Sequence, residues 1–175
     1  MRSIYERVGI SLLDHVAGVS VSDVRTFAAL DAAGTDCVRA EVVSGEGPCF
    51  SAGLDLTEAD ALASDEGRER ILQTAYEDAN LFQRAALAWR ELTVPVIAAL
   101  HGSVFAGGLR IALGADLRYR APDAQLAAME MRWSLVHDMA ASLLLRGLVR
   151  PDIARELIYA ARKISAEEGL LMVEM

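Results

Sequence analysis

Two stretches of this chain put glycines where a backbone must bend sharply or come close to something: Ser44-Gly-Glu-Gly-Pro-Cys-Phe-Ser-Ala-Gly-Leu-Asp-Leu and His101-Gly-Ser-Val-Phe-Ala-Gly-Gly. Glycine adopts tight turns and permits close approach at no steric cost. A turn that exposes successive backbone N–H groups can hold an oxygen bearing negative charge. Other chemistries lack their residues. Ser51, Ser103 and Ser142 sit in no Gly-x-Ser-x-Gly elbow, and neither loop fits a Gly-x-x-x-x-Gly-Lys or dinucleotide pattern. His15, His101 and His137 are scattered, without cysteine or acidic partners at ligand spacing, so no metal site is expected. Cys37 and Cys49 are too few for a disulfide framework and are read as reduced thiols. Among the 17 basic residues only Lys163 is a lysine, which removes nearly every candidate for Schiff-base chemistry.

The elements around the glycine loops alternate. Ser22 reads as the N-cap of an amphipathic helix through about Ala33, stopped by Gly34. Val38 to Ser44 reads as a short strand leading into the first loop, and Val94 to Leu100 as a buried strand leading into the second. The uncharged run from Leu92 to Leu109 is interrupted by Pro95 and by glycines, which argues against a membrane span. Between the loops, Ser64 to Glu91 is charged and helical in period, with Ile71, Leu72, Ala75, Leu81, Phe82, Leu87 and Trp89 as expected buried positions. Leu109 to Ala115 reads as a short buried helix, and Asp116 to Arg120 and Gln125 to Met129 as strands. Met139 to Leu148 and Asp152 to Ala161 read as helices, the second opening on Pro151. Ser165-Ala-Glu-Glu is a capping-box-like start for a last helix.

These 175 residues, 53% apolar and 24% charged, have the balance of one globular domain spanning 1–175. The net charge of −8 disfavours nucleic acid or an anionic membrane as a partner. The first ten residues carry Arg2, Glu6 and Arg7 and no apolar signal core, so a cytoplasmic protein is expected.

Taken with Ala115-Asp-Leu-Arg-Tyr-Arg-Ala-Pro-Asp-Ala and Ile164-Ser-Ala-Glu-Glu-Gly-Leu, the two glycine loops in this order resemble the enoyl-CoA hydratase/isomerase, or crotonase, family. The resemblance runs from about Val38 to Val173 and is poor before Ser20. It implies an α/β, crotonase-like spiral of ββα units. At this length the family's first strand region is expected to be eroded or replaced, and its C-terminal helical segment absent.

In the family, two backbone amides bind a thioester carbonyl and stabilise the enolate oxygen; by motif position they are those of Leu54 and Gly107. Fixed amides aimed at developing charge need no reorganisation, and one such donor is worth on the order of 10²–10³ in rate. Ala52, Gly53, Asp55 and Gly108 flank these donors and are expected to touch substrate. Family hydratases hold the attacking water with two glutamates. The second falls on Glu130, but the first position is Arg110, which accepts no proton and cannot serve as base. If Arg110 also pairs with Glu130, it makes the glutamate a poorer base, and two-glutamate hydration becomes doubtful.

Asp138 matches the second carboxylate of family isomerases, which move a proton between carbons of the acyl chain; it could equally cap the helix expected from Met139. His137 and Arg110 are further expected contacts with substrate, His137 as an accessory acid. Ala140 and Ala141 stand where the family often has glycines, so the acyl pocket is expected to be narrowed. His101 is read as structural, and Arg118, Arg120 and Arg132 as solvated charges. No cofactor is implied beyond the coenzyme A of the substrate, and the resemblance implies a homotrimer or hexamer. The leading reading is enoyl-CoA isomerisation or hydration. The alternatives are a catalytically impaired relative that binds acyl-CoA or a partner subunit, and recognition of a dicarboxylic acyl group by Arg110.

Overall fold

In the computed structural model the residues described are 8–13, 39–53, 64–72, 74–76 and 79–172. Four strands lie in parallel in the order β1 (Val8–Leu13), β2 (Ala40–Gly45), β5 (Val96–Leu100), β7 (Leu117–Arg120). Ile10 stands opposite Val42, Val42 opposite Ile97, and Ile97 opposite Leu117. The first strand region, expected to be eroded or replaced, still contributes a strand, β1, paired parallel with β2. The helix expected over Ser22–Ala33 and the residues Cys37, Leu54 and Asp55 lie outside the described residues.

Between β2 and β5 come α1 (Asp65–Leu72), the strands β3 (Thr74–Tyr76) and β4 (Ala79–Asn80), α2 (Leu81–Leu87) and a short 3-10 turn, Ala88–Glu91. The β3–β4 pair is antiparallel and separates two helices in a segment that the sequence reads as helical in period throughout. Asn80 explains the restart: its side chain accepts from the Gln83 amide at 2.8 Å while the Gln83 side chain accepts from the Asn80 amide at 3.0 Å, a reciprocal cap. Of the positions expected to be buried, Trp89 is, but Leu72 is 80% exposed, because α1 ends there rather than carrying its apolar face onward.

The alternation of burial along β5 sends Val96, Ala98 and Leu100 to one face. There they meet Val43 from β2, Phe50, Trp89, Val104, and Ile111 and Ala112 of helix α3 (Gly107–Gly114). A second sheet holds β6 (Ser103–Phe105), β8 (Gln125–Ala127) and β9 (Ile164–Ser165), with β6 and β8 parallel and β9 antiparallel. A 3-10 turn, Glu130–Trp133, follows β8. Then come α4 (Ala141–Leu145), α5 (Pro151–Ala160) and α6 (Ala166–Met172).

Pro151 opens α5 as expected, and Ser165 Oγ accepts from the Glu168 amide at 3.1 Å at the head of α6. Helix α4 is shorter than the sequence suggests. Met139 and Ala140 sit at φ 51° and 57°, a left-handed conformation incompatible with a helix interior, so the helix starts only at Ala141. Asp138 therefore does not cap it through its side chain; its backbone carbonyl accepts from the Ala141 amide at 3.2 Å instead.

The arginines read as solvated are partly engaged. Arg118 is half-buried and donates to the Ala115 carbonyl, and Arg132 donates to the Ala161 carbonyl at 2.9 Å. Burial, with the neighbouring Arg120 and Arg90, lowers the Arg118 pKa. Cys49 is a buried free thiol, and His101 keeps its structural role with Nε2 at 3.1 Å from the Gly47 carbonyl. No helix among the described residues is long and apolar enough to cross a membrane, and they contain no metal-holding group of His, Cys, Asp or Glu.

Candidate functional site

The first glycine loop leaves β2 and is joined to the second by main-chain hydrogen bonds. The Phe50 amide donates to the His101 carbonyl at 2.9 Å, the Ser51 amide to Ser103 at 3.0 Å, and the Phe105 amide back to Ser51 at 3.0 Å. Ser51 thus pairs with Val104 as a one-residue extension of the second sheet. Both glycine motifs are required by this contact. A Cβ on Gly108 would lie 2.5 Å from Ser51 Cβ, and one on Gly53 would lie 2.9 Å from Ala106 Cβ. Gly53 also has φ +107°, where side chains other than glycine's are strained. Its amide donates to Ser51 Oγ at 3.2 Å.

Ala106 turns the chain from β6 into α3 at φ 45° and ψ −118°, a conformation that L-residues rarely occupy. Such strain typically costs about 1–3 kcal/mol and persists where the surroundings enforce it. Here the Ala106 amide donates to Ala127 of β8 at 3.0 Å, and its carbonyl accepts from Arg110 at 3.2 Å. The turn leaves Gly107 as the first residue of α3, where an N–H has no intrahelical acceptor. Among the described residues this buried amide has no hydrogen-bond partner, as an oxyanion donor requires. Ala52 is exposed beside the joined loops.

One turn further along α3, Arg110 is fully buried, and its Nη2 lies 2.9 Å from Glu130 Oε2. The same Nη2 lies 2.8 Å from His137 Nδ1, which is itself 3.3 Å from Glu130 Oε2. Three sequence-predicted residues therefore meet at a single point beside the first turns of α3. Glu130 keeps its side chain 15% exposed. Burial lowers the Arg110 pKa, opposed by the charge of Glu130. Burial and the guanidinium hold His137 below its ordinary value, outweighing the carboxylate. Both effects oppose the protonated form that an accessory acid would use.

Asp138 sits apart from this trio in its contacts. Its Oδ1 accepts from Gln83 Nε2 of α2 at 3.3 Å. Three participants were not legible as such: Gln83, Ser51 and Ala106. Gln83 lies in a helix far along the chain, and Ser51 enters through its backbone and Cβ rather than as a nucleophile. Ala106 looks like any small residue before a glycine pair.

A cavity of about 380 Å³ lies on another side of α3, lined by Leu109, Leu113, Leu126, Leu157 and Ile164 among others. None of Gly53, Gly107, Arg110, Glu130 or His137 lines it, so it is not the place where the joined loops and the carboxylate would meet a ligand.

The family model described as enoyl-CoA hydratase/isomerase matches residues 25–172. A Bacillus subtilis protein named as a probable enoyl-CoA hydratase is 32% identical over 142 residues, 81% of this chain and 52% of that protein. The mouse mitochondrial Delta(3,5)-Delta(2,4)-dienoyl-CoA isomerase is 32% identical over 140 residues, 78% of this chain and 42% of its own length. A crystal structure from Streptomyces coelicolor superimposes with a TM-score of 0.83 at 29% identity, covering 98% of this chain and 63% of the other. The chain thus spans about half the length of the curated relatives it matches.

Proposed function

Because this chain belongs to the enoyl-CoA hydratase/isomerase family, we propose that it binds an acyl-CoA thioester and moves a proton along an enoyl chain. The amides of Leu54 and Gly107 would hold the thioester oxygen, with Glu130 as acid and base. Glu130 takes a proton from one carbon of the acyl chain, and the electron pair moves onto the carbonyl oxygen to give an enolate. The two amides hold that charge, and Glu130 returns the proton to a different carbon. Asp138 is the second carboxylate of this reading. No cofactor is needed beyond the coenzyme A that the substrate carries.

The observation that carries the proposal is the junction of the two glycine loops, with a Gly107 amide that has no partner among the described residues one helical turn from the residue that grips Glu130. Isomerisation is favoured over two-glutamate hydration because Arg110 stands in the first glutamate's place and holds one oxygen of the other. A trimer or hexamer and a cytoplasmic setting belong to the same reading, and the molar mass in solution with and without acyl-CoA tests the assembly.

Arg110's hold on Glu130 also favours a second reading, a binder of acyl-CoA with little turnover. Glu130→Gln separates the two. Gln retains an oxygen that accepts from Arg110, so the contact survives while the base is lost. An isomerase then loses about 10²–10⁴ in kcat. Unchanged behaviour of the variant, with acyl-CoA still bound, would favour the binder.

A further inference from the structure

Few polar contacts hold Arg110 in place. The side chain is fully buried, and its Nε and Nη1 meet no hydrogen-bond partner among the described residues. Among the described residues the hydrogen bonds of the guanidinium converge on Nη2, with Glu130 Oε2 at 2.9 Å and His137 Nδ1 at 2.8 Å. A guanidinium carries only donors, so Nδ1 must accept, and the neutral imidazole keeps its proton on Nε2. Glu130 Oε2 and His137 Nδ1 are then two acceptors 3.3 Å apart, brought together by the nitrogen between them.

Without the imidazole, Nε or Nη1, which lack hydrogen-bond partners among the described residues, could turn towards the second oxygen of Glu130. Arginine and carboxylate favour that bidentate fork, with two parallel hydrogen bonds. Both carboxylate oxygens would then be committed, and neither could accept a proton from carbon.

We infer that His137 is a positioning residue: by accepting from Arg110 Nη2 it confines the guanidinium to one oxygen of Glu130 and leaves the other for proton transfer. This rests on the proposed role of Glu130. His137 neither gains nor loses a proton in the cycle; the proton passes from carbon to Glu130 and back.

The test compares two substitutions in the full chain. His137→Asn keeps an acceptor, Oδ1, at the same number of bonds from the backbone as Nδ1, whereas His137→Leu removes it. With an enoyl-CoA substrate, His137→Leu should lower kcat by about tenfold to a hundredfold, near the low end for a disabled acid–base group, with KM nearly unchanged. His137→Asn should restore most of the loss. Equal losses in the two variants, or a loss confined to KM, would overturn the inference.

Nitrogen NMR of the histidine rings at neutral pH gives a readout that needs no turnover. An unprotonated Nδ1 on His137 is expected, and a protonated one overturns the assignment. If the chain turned over no enoyl-CoA at all, the proposed function would fall, while the Nδ1 signal would still decide the contact.

Discussion

Gly108→Ala tests how the two glycine loops are joined. The added Cβ would lie 2.5 Å from Ser51 Cβ, 2.7 Å from its Oγ and 3.0 Å from its carbonyl oxygen. Carbon atoms rest comfortably at about 3.5–4.0 Å, so one side must withdraw by about 1 Å. Ser51 is poorly placed to yield. Its carbonyl is bonded to the Phe105 amide at 3.0 Å and its Oγ to the Gly53 amide at 3.2 Å. Overpacking of this kind costs about 1–3 kcal/mol of stability. A misplacement of about 1 Å between the loops should reduce turnover by as much as about a hundredfold. Urea unfolding followed by circular dichroism reads the first effect, and kcat/KM on an enoyl-CoA reads the second. Adding Ser51→Gly removes the Cβ and the Oγ and leaves only the 3.0 Å contact, so the double variant should recover part of both losses. A Gly108→Ala protein as stable and as active as the parent, or a double variant showing the plain sum of two defects, would refute the reasoning.

Stability should fall as pH drops from about 6.5, because burial and Arg110 keep the folded-state pKa of His137 below its ordinary 6.5. In that window the unfolded chain binds a proton that the folded chain refuses. Urea midpoints measured at stepped pH should show this slope flattening in His137→Asn, and an identical slope in both proteins would reject the cause. Gly114→Ala should destabilise by about 1–3 kcal/mol, since its Cβ would stand 2.2 Å from the Ala86 carbonyl where α3 crosses α2; an unchanged urea midpoint would count against that packing.

What could be read from the residues follows from where the constraint lies. Glycines at 53 and 108 are visible because two backbones come too close there for any side chain, so both motifs, and with them the family, stand out in the sequence. Strands β2, β5 and β8 are legible because each carries a short apolar stretch bounded by turn residues. The β3–β4 pair was not. The residues from Gln73 to Asp78 carry no glycine or proline and have a helical period, although Asn80 and Gln83 three positions on do spell a capping box. Arg110 announced itself as a departure and its pairing with Glu130 could be anticipated. The imidazole on the same nitrogen could not, because only tertiary folding brings residue 137 against α3. Arg132 is exposed as expected, whereas the half-burial of Arg118 against the Ala115 carbonyl was not legible, because that acceptor is a backbone group that leaves no mark in the residue types.

The pairing of Ser51 with Val104 has a consequence for how such a site is inherited. The loop that ends at Gly53 and the turn that begins α3 are aligned by main-chain bonds between residues 50–51 and 101–105, and hardly by side chains at all. Substitutions at Ala52 or Ser103 can accumulate without moving the amides, provided the glycines that let the strands touch are kept. That arrangement accommodates drift to the 29–32% identity between this chain and the relatives named above. It leaves residues such as Arg110 and His137 free to diverge around a fixed frame, so that the side chains beside the loops can change without rebuilding the junction itself.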